Sequence, residues 1–333
     1  MRGYDNVRQV PLIHVAGTKV PRLVLGHLPF VGESYQGSAK NAEYLSRFSD
    51  TENILPILVR AVRSYGITVV SAPTPNEGTL ARGFLRAIQQ TSQETGIELG
   101  LIVCLKLPLL ISGHKVDDYR RWLTYYYIEK KYGEEEILRR YLSDPILQAR
   151  EGWQLKILER LKNSYPYSHE LEKLSVDYSS VNEALSDLKA NVLFLELGSE
   201  TDFLSMGNRL DLLEDLVNWI HDKYGYRCIL GSHHAGSTIP ILDSSRIKFH
   251  GYVTPVNRLG IMMFPTQKSS EAAIKSSNKP IIAIKPFAGG RITPKNAFEY
   301  IYSNLNISCC MIGAASVKQL DEDASAALEI LSK

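Results

Sequence analysis

Three histidines, two lysines and one glutamate hold most of the chemistry this sequence could perform. His233 and His234 are adjacent, and His27 follows an apolar run. Lys106 and Lys285 each end an apolar run, and Glu196 interrupts the run LFLEL. An imidazole exchanges protons near neutral pH. A buried lysine beside a second cation loses basicity and can act as a base or an imine-forming nucleophile. Lys106 and His233, with His234 as the other member of the pair, are therefore the candidate catalytic residues. Neighbouring residues on a strand point to opposite faces, so one of the two histidines is expected to reach a site. The other reading of each histidine is a hydrogen-bonded core residue. A carboxylate inside a core is costly without a partner, and Lys106 is the expected partner of Glu196. His27, one of the pair and Glu196 have no spacing that enforces metal binding, so no metal is expected.

Two glycine-rich stretches suggest a different chemistry. Pro286-Phe287-Ala288-Gly289-Gly290-Arg291 and Gly313-Ala314-Ala315-Ser316 each follow an apolar run. Glycines let backbone N–H groups approach a phosphate closely. The helix expected after Ser316 adds its positive end. Phosphate or pyrophosphate binding is the expectation, with a plain tight turn at Gly289-Gly290 as the alternative.

Such groups act together only if the fold gathers them. Apolar runs of strand length lie at Leu23–Gly26, Ile67–Ser71, Leu99–Leu105, Val192–Leu197, Arg227–Gly231, Phe249–Thr254, Pro280–Ile284 and Cys309–Ile312. They are continuously apolar, as strands covered on both faces must be. Helical periodicity fills the gaps at Asp50–Tyr65, Thr79–Thr95, Leu210–Tyr224, Ser237–Asp243, Gln267–Ser276, Pro294–Asn304 and Val317–Leu331. Ser49-x-x-Glu52 reads as a capping box. Eight such units predict an α/β fold, a (β/α)8 TIM barrel formed by residues 1–333 as one domain. A doubly wound sheet is the alternative, but its GxGxxG turn is missing after the first strand. In a barrel, the C-terminal strand ends would bring Lys106, Glu196, the histidine pair, Asn257, Lys285 and both glycine stretches to one rim.

Two segments depart from the repeat. Val10–Pro21 predicts an N-terminal β-hairpin that plugs the barrel, turning at Ala16–Lys19. Residues 112–180 predict a helical insertion after strand 3. Asp144-Pro145 reads there as an N-cap with proline at the first helical position, and Leu155, Leu158 and Leu161 share a register. His114–Lys162 holds 11 Lys/Arg and 9 Asp/Glu, which suits a solvated helix face better than nucleic acid. Its Tyr, Trp and Leu residues are expected to cover the barrel mouth or to join a homo-oligomer.

The chain has 38 Lys+Arg and 36 Asp+Glu, so its net charge is 38 − 36 = +2. This balance gives no general attraction to nucleic acid or anionic membrane. No apolar run approaches the roughly 20 residues that span a bilayer. The opening MRGYDNVRQV lacks the apolar region of a secretory signal. Four cysteines without metal-ligand spacing fit a reducing cytoplasm.

Several segments resemble the aldo-keto reductase superfamily. They are VPLIHVAGTKVPRLVLGHLPFVG, GITVVSAPTPNEGTLARGFLRAI, IVCLKLP, ILGSHHAG, TPVNRLG, KPIIAIKPFAGGRI and CMIGAASVKQLDEDASAAL. The likeness spans most of the chain outside residues 112–180 and is clearest near its end. It implies a barrel that uses NADP or NAD. It also implies an Asp-Tyr-Lys-His tetrad, of which Lys106 matches the Lys. Ser71, Asn76 and Gly198 fall at the Asp, Tyr and His positions, and Asn cannot serve as a general acid. Ser232 and Asn257 match positions that hold the nicotinamide carboxamide. His233 stands where Asn is expected and Ile284 where an aromatic ring is expected. Gly289, Gly290, Arg291, Gly313, Gln319 and Glu322 fall at the phosphate and adenosine end, and Lys285 is a further expected cofactor-binding residue.

Three functions are consistent with this pattern. The first is an NAD(P)-linked oxidoreductase of small molecules in which His233 or His234, beside Lys106, replaces the missing tyrosine. The second is a lyase or isomerase of a phosphorylated or carbonyl substrate using Lys106 or His233. The third is a catalytically silent barrel that binds a nucleotide or a partner.

Overall fold

The computed structural model describes residues 9–162, 167–188, 190–305 and 307–332. Most of the opening MRGYDNVRQV lies outside them. The chain begins with β1 (Leu12–Val15) and β2 (Thr18–Pro21), an antiparallel hairpin. Its turn residues, Ala16 (φ 46°) and Gly17 (φ 82°), are both left-handed. That geometry matches the twist of a two-residue hairpin loop.

The alternation follows: β3 (Leu23–Leu25), α1 (Ser38–Phe48), α2 (Leu55–Tyr65), β4 (Val69–Pro73), α3 (Thr79–Thr95) and β5 (Gly100–Leu105). An insertion contains β6 (Leu109–Ile111), β7 (His114–Lys115), α4 (Asp118–Glu129), α5 (Glu134–Ser143), α6 (Pro145–Gln148), α7 (Trp153–Lys162), α8 (Tyr167–Leu171) and β8 (Leu174–Val176). After α9 (Tyr178–Ser186) come β9 (Val192–Leu197), α10 (Glu200–Met206), α11 (Leu210–Tyr224), β10 (Cys228–Gly231) and α12 (Ala235–Asp243). The chain closes with β11 (Tyr252–Pro255), α13 (Gln267–Ser276), β12 (Ile281–Ile284), α14 (Pro294–Phe298), β13 (Cys309–Ile312) and α15 (Val317–Leu331).

The strands pair in the order β3-β4-β5-β9-β10-β11-β12-β13, and β13 pairs back onto β3. Every pairing is parallel, so the ring is a closed (β/α)8 barrel. This settles the choice against an open sheet. Inside, Val24, Val69, Ile102, Phe194, Ile229, Val253, Ile282 and Met311 form one apolar layer, a residue from each strand. Val15 and Val20 of the hairpin join it. Arg227 donates to the Ala16 carbonyl and holds the hairpin to the barrel floor. The larger apolar core fills the space between strands and helices.

Some expected boundaries shift for local reasons. The helix expected over Asp50–Tyr65 begins at Leu55, after a short 3-10 turn. Pro56 is tolerated only in a first turn, where its missing N–H costs nothing. The expected capping box at Ser49 is replaced by Asp50, which accepts from the Glu52 N–H at 3.0 Å. The Ser49 hydroxyl donates instead to the Ser46 carbonyl. In the insertion, the leucine-register segment breaks at Gly152 (φ 70°), separating α6 from α7. Leu155 is then 77% exposed and forms no part of the core.

The insertion is bound to the barrel by its own polar groups. Arg140 donates to the Gly260 and Met263 carbonyls, and Asp144 accepts from the Met262 N–H at 2.7 Å. Trp122 of α4 packs on the His234 and Phe264 rings. The insertion thus covers the loops that follow β10 and β11. Among the described residues, no helix is long and apolar enough to cross a membrane.

Candidate functional site at the barrel mouth

A cavity of about 750 Å³ opens at the C-terminal ends of the strands, within the usual range for small-molecule sites. Lys285 directly follows β12 in a left-handed conformation, φ 55°. Side chains with a Cβ rarely take that conformation, and such strain gathers at functional sites. The Lys285 amine lies 3.2 Å from His233 Nε2 and 4.6 Å from the centre of the Tyr35 ring. Burial lowers its pKa to about 8, with the charge of Glu196 acting in the opposite direction.

Glu196 points into the same space from β9 and is buried. Burial raises its pKa to about 7, although Lys285 favours its charged form. Burial, reinforced by Lys285, holds His233 neutral, well below the ordinary imidazole value. Tyr35, from the loop after β3, is raised by burial and stays protonated. An amine, an imidazole, a carboxyl and a phenol therefore share one mouth, with the carboxyl and amine titrating close to neutrality.

Asp202 sets the turn that presents His233. Its Oδ2 accepts the N–H groups of His233 (2.8 Å) and His234 (3.3 Å). Its Oδ1 accepts the hydroxyls of Ser232 (2.6 Å) and Thr238 (2.8 Å). The Ser232 hydroxyl is thus committed within the protein. His234 is fully enclosed, with Nδ1 2.9 Å from the buried Glu129 carboxylate. Ser237 and Tyr141 also donate to Glu129. His234 stands in the cavity wall and links the insertion to the barrel.

Lys106 lies at the rim, 69% exposed, and pairs with Glu77 at 2.7 Å. The expected pairing of Lys106 with Glu196 is not formed. Glu77 lies within reach of the exposed lysine stem, whereas Glu196 is buried deeper in the cavity. His27 is held near pKa 4 by burial, and its Nδ1 is 2.8 Å from the Ser71 hydroxyl. Asn76 accepts from the Thr74 hydroxyl in the turn after β4. At Gly198, a Cβ would lie 2.6 Å from Glu200 Oε2 and 3.1 Å from the Leu105 carbonyl. The Glu200 carboxylate fills the space a side chain at 198 would need.

The glycine turns line the other end of the cavity, with Arg291, Gln319 and Glu322. Gly289 (φ 69°) and Gly290 (φ 83°) are left-handed. A Cβ on Gly289 would lie 3.1 Å from the Tyr35 carbonyl, and one on Gly290 would lie 3.2 Å from Gln36 Nε2. Close approach of the loop after β3 thus demands glycine here. Among the described residues, neither glycine N–H has a protein acceptor. Ser316 caps α15 by accepting the Gln319 N–H, and Gln319 Oε1 accepts the Ala315 N–H.

Lys106, Ser232, His233, His234, Lys285, Gly289, Gly290, Arg291, Gly313, Gln319 and Glu322 thus surround one cavity. Asn257 does not join them. Both ends of its amide bind Ile261, at 2.8 and 3.0 Å, and clasp the loop after β11. Sequence reasoning missed Tyr35 and Asp202, which lie outside the strand ends and carry no motif. Among the described residues, no three of His, Cys, Asp and Glu are grouped to hold a metal.

No family model matches the chain, and no curated protein matches it. Solved structures do. A crystal structure titled as "the putative aldo-keto reductase" from Pseudomona aeruginosa aligns with TM-score 0.55 and 12% identity, covering 99% of this chain and 100% of that one. A second structure, titled as a "putative aldo-keto reductase" from the same organism, aligns with TM-score 0.55 and 12% identity over 97% of each chain. What this chain shares with them is the barrel fold over nearly its whole length.

Proposed function

We propose that the mouth is the active site of an aldo-keto-reductase-like oxidoreductase acting on small carbonyl compounds with NADP or NAD. One observation carries this reading: a single cavity joins a turn with free N–H groups to a cluster able to move protons near neutral pH. The donor set suits a dinucleotide. The N–H groups of Gly289 and Gly290, the Arg291 guanidinium and the capped start of α15 would hold its phosphates. Gln319 and Glu322 lie at the adenosine end. The dinucleotide, when bound, supplies a hydride.

The chain's residues manage the proton. Lys285, mostly protonated below pH 8, donates to the carbonyl oxygen as the bond is reduced. The neutral His233 ring accepts a Lys285 N–H and orients the amine. Glu196, with its raised pKa, is a second proton source in the same cavity. Lys285 and His233 thus take the place of the tyrosine that Asn76 cannot replace. Lys106 and His234 serve this reading through the cavity's rim and wall. Four free thiols support a reducing compartment as the setting.

The test follows consumption of NADPH or NADH over a panel of aldehydes and ketones. Turnover is expected with at least one, and Lys285→Met should cut it by about 10²–10⁴-fold. Undiminished turnover in that variant contradicts the assignment.

A further inference from the structure

We propose that Lys285 is also a covalent site, whose amine forms an imine with a small aldehyde or ketone without any nicotinamide. Three observations support this. First, the strained backbone at residue 285 directs the amine into the cavity instead of along the β12 ladder. Second, a lysine ammonium has three donors, yet the one acceptor it meets among the described residues is His233 Nε2, at 3.2 Å. The shortage of acceptors favours loss of a proton from the amine. Third, a neutral imidazole adjoins the amine to accept a proton, and a carboxyl in the same cavity can give one. Burial also leaves an appreciable fraction of the amine unprotonated near neutral pH.

The steps balance. The Lys285 lone pair attacks the carbonyl carbon and forms the C–N bond. The C=O π pair moves to oxygen, which takes a proton from the Glu196 carboxyl. The nitrogen gives a proton to His233 Nε2. In the second stage the hydroxyl leaves as water with the proton from His233, and the nitrogen lone pair closes the C=N bond. Glu196 takes back the remaining N–H proton. The carbonyl compound and the amine yield an imine and one water, and no oxidant or reductant is used. The imine withdraws electrons from the adjacent carbon, which suits C–C cleavage or isomerisation.

The experiment treats the full chain with propionaldehyde or pyruvate, reduces with borohydride without nicotinamide, and maps the labelled peptide by mass spectrometry. One adduct per chain is expected at Lys285, with the exposed Lys295 and Lys318 labelled only in trace. Labelling should be fastest between about pH 7 and 8, where part of the amine is neutral and part of the Glu196 carboxyl still holds its proton. Lys285→Arg should abolish it, and His233→Asn or Glu196→Gln should slow it by about tenfold or more. Label spread over surface lysines, label on Lys106, or no adduct with either compound overturns the proposal. The native chain decides the site of labelling even where a variant fails to fold. Failure of cofactor binding would leave the label untouched, and failure of labelling would leave cofactor binding untouched.

Discussion

Glu196 makes the mouth sensitive to pH. Its pKa is 4.5 when unperturbed and about 7 in the fold. Between these values the folded state binds more protons than the unfolded state. Stability from this group is therefore present at low pH and is lost as pH rises from about 4.5 through 7. The loss amounts to at most about 3 kcal/mol. Glu196→Gln should remove this slope and unfold at higher denaturant than the wild type at pH 8. Unchanged pH dependence in urea titrations would show that Glu196 is not buried as a charge. Lys285 yields a second, kinetic prediction. As proton donor, it should lose activity above pH about 8, whereas imine trapping should climb from acid pH to a maximum between about 7 and 8. Below pH about 7 trapping should rise with pH while the supply of protonated Lys285 is already full, so one pH series separates the two chemistries. The adjacent histidines and the lone glutamate were visible in the sequence, but their partners were not. Glu77 and Glu129 lie far along the chain from Lys106 and His234, and only the fold brings them together.

At the scale of elements, α4 joins the insertion to the barrel, together with Arg140 of α5 and Asp144. Its Glu129 carboxylate is completely enclosed and binds His234, Ser237 and Tyr141. Removing one member of a buried charged network leaves the others without partners. Glu129→Ala should therefore cost about 3–5 kcal/mol, read by denaturant unfolding. A loss within error would mean that the aromatic packing and the Arg140 and Asp144 contacts hold the insertion without it. The eight strands were legible because burial on both faces leaves an unbroken apolar run. Val192–Leu197 and Cys309–Ile312 have the expected bounds. Helix α1 was not legible, since only Tyr44 and Phe48 of its eleven residues are buried. Such a sparse apolar face leaves little periodicity to read. The insertion's helices were expected as a group, but the break at Gly152 and the docking partners depend on tertiary contacts.

For the whole molecule, closure of β13 onto β3 separates two ends with different work. The hairpin and the Val, Ile and Phe layer seal one end, and the polar groups gather at the other. That polarity follows from eight parallel strands, whose number was readable from the repeat and whose closure into a ring the structure shows. The Asn257 side chain shows the limit, because a residue near a strand end can still be spent on its own loop. Titration of NADPH and of NADH into the purified chain, followed by cofactor fluorescence, tests whether the mouth holds a dinucleotide. Saturable binding in the micromolar range is expected for at least one, weakened about tenfold by Arg291→Ala. Absence of saturation with both, while the protein remains folded, would contradict the account.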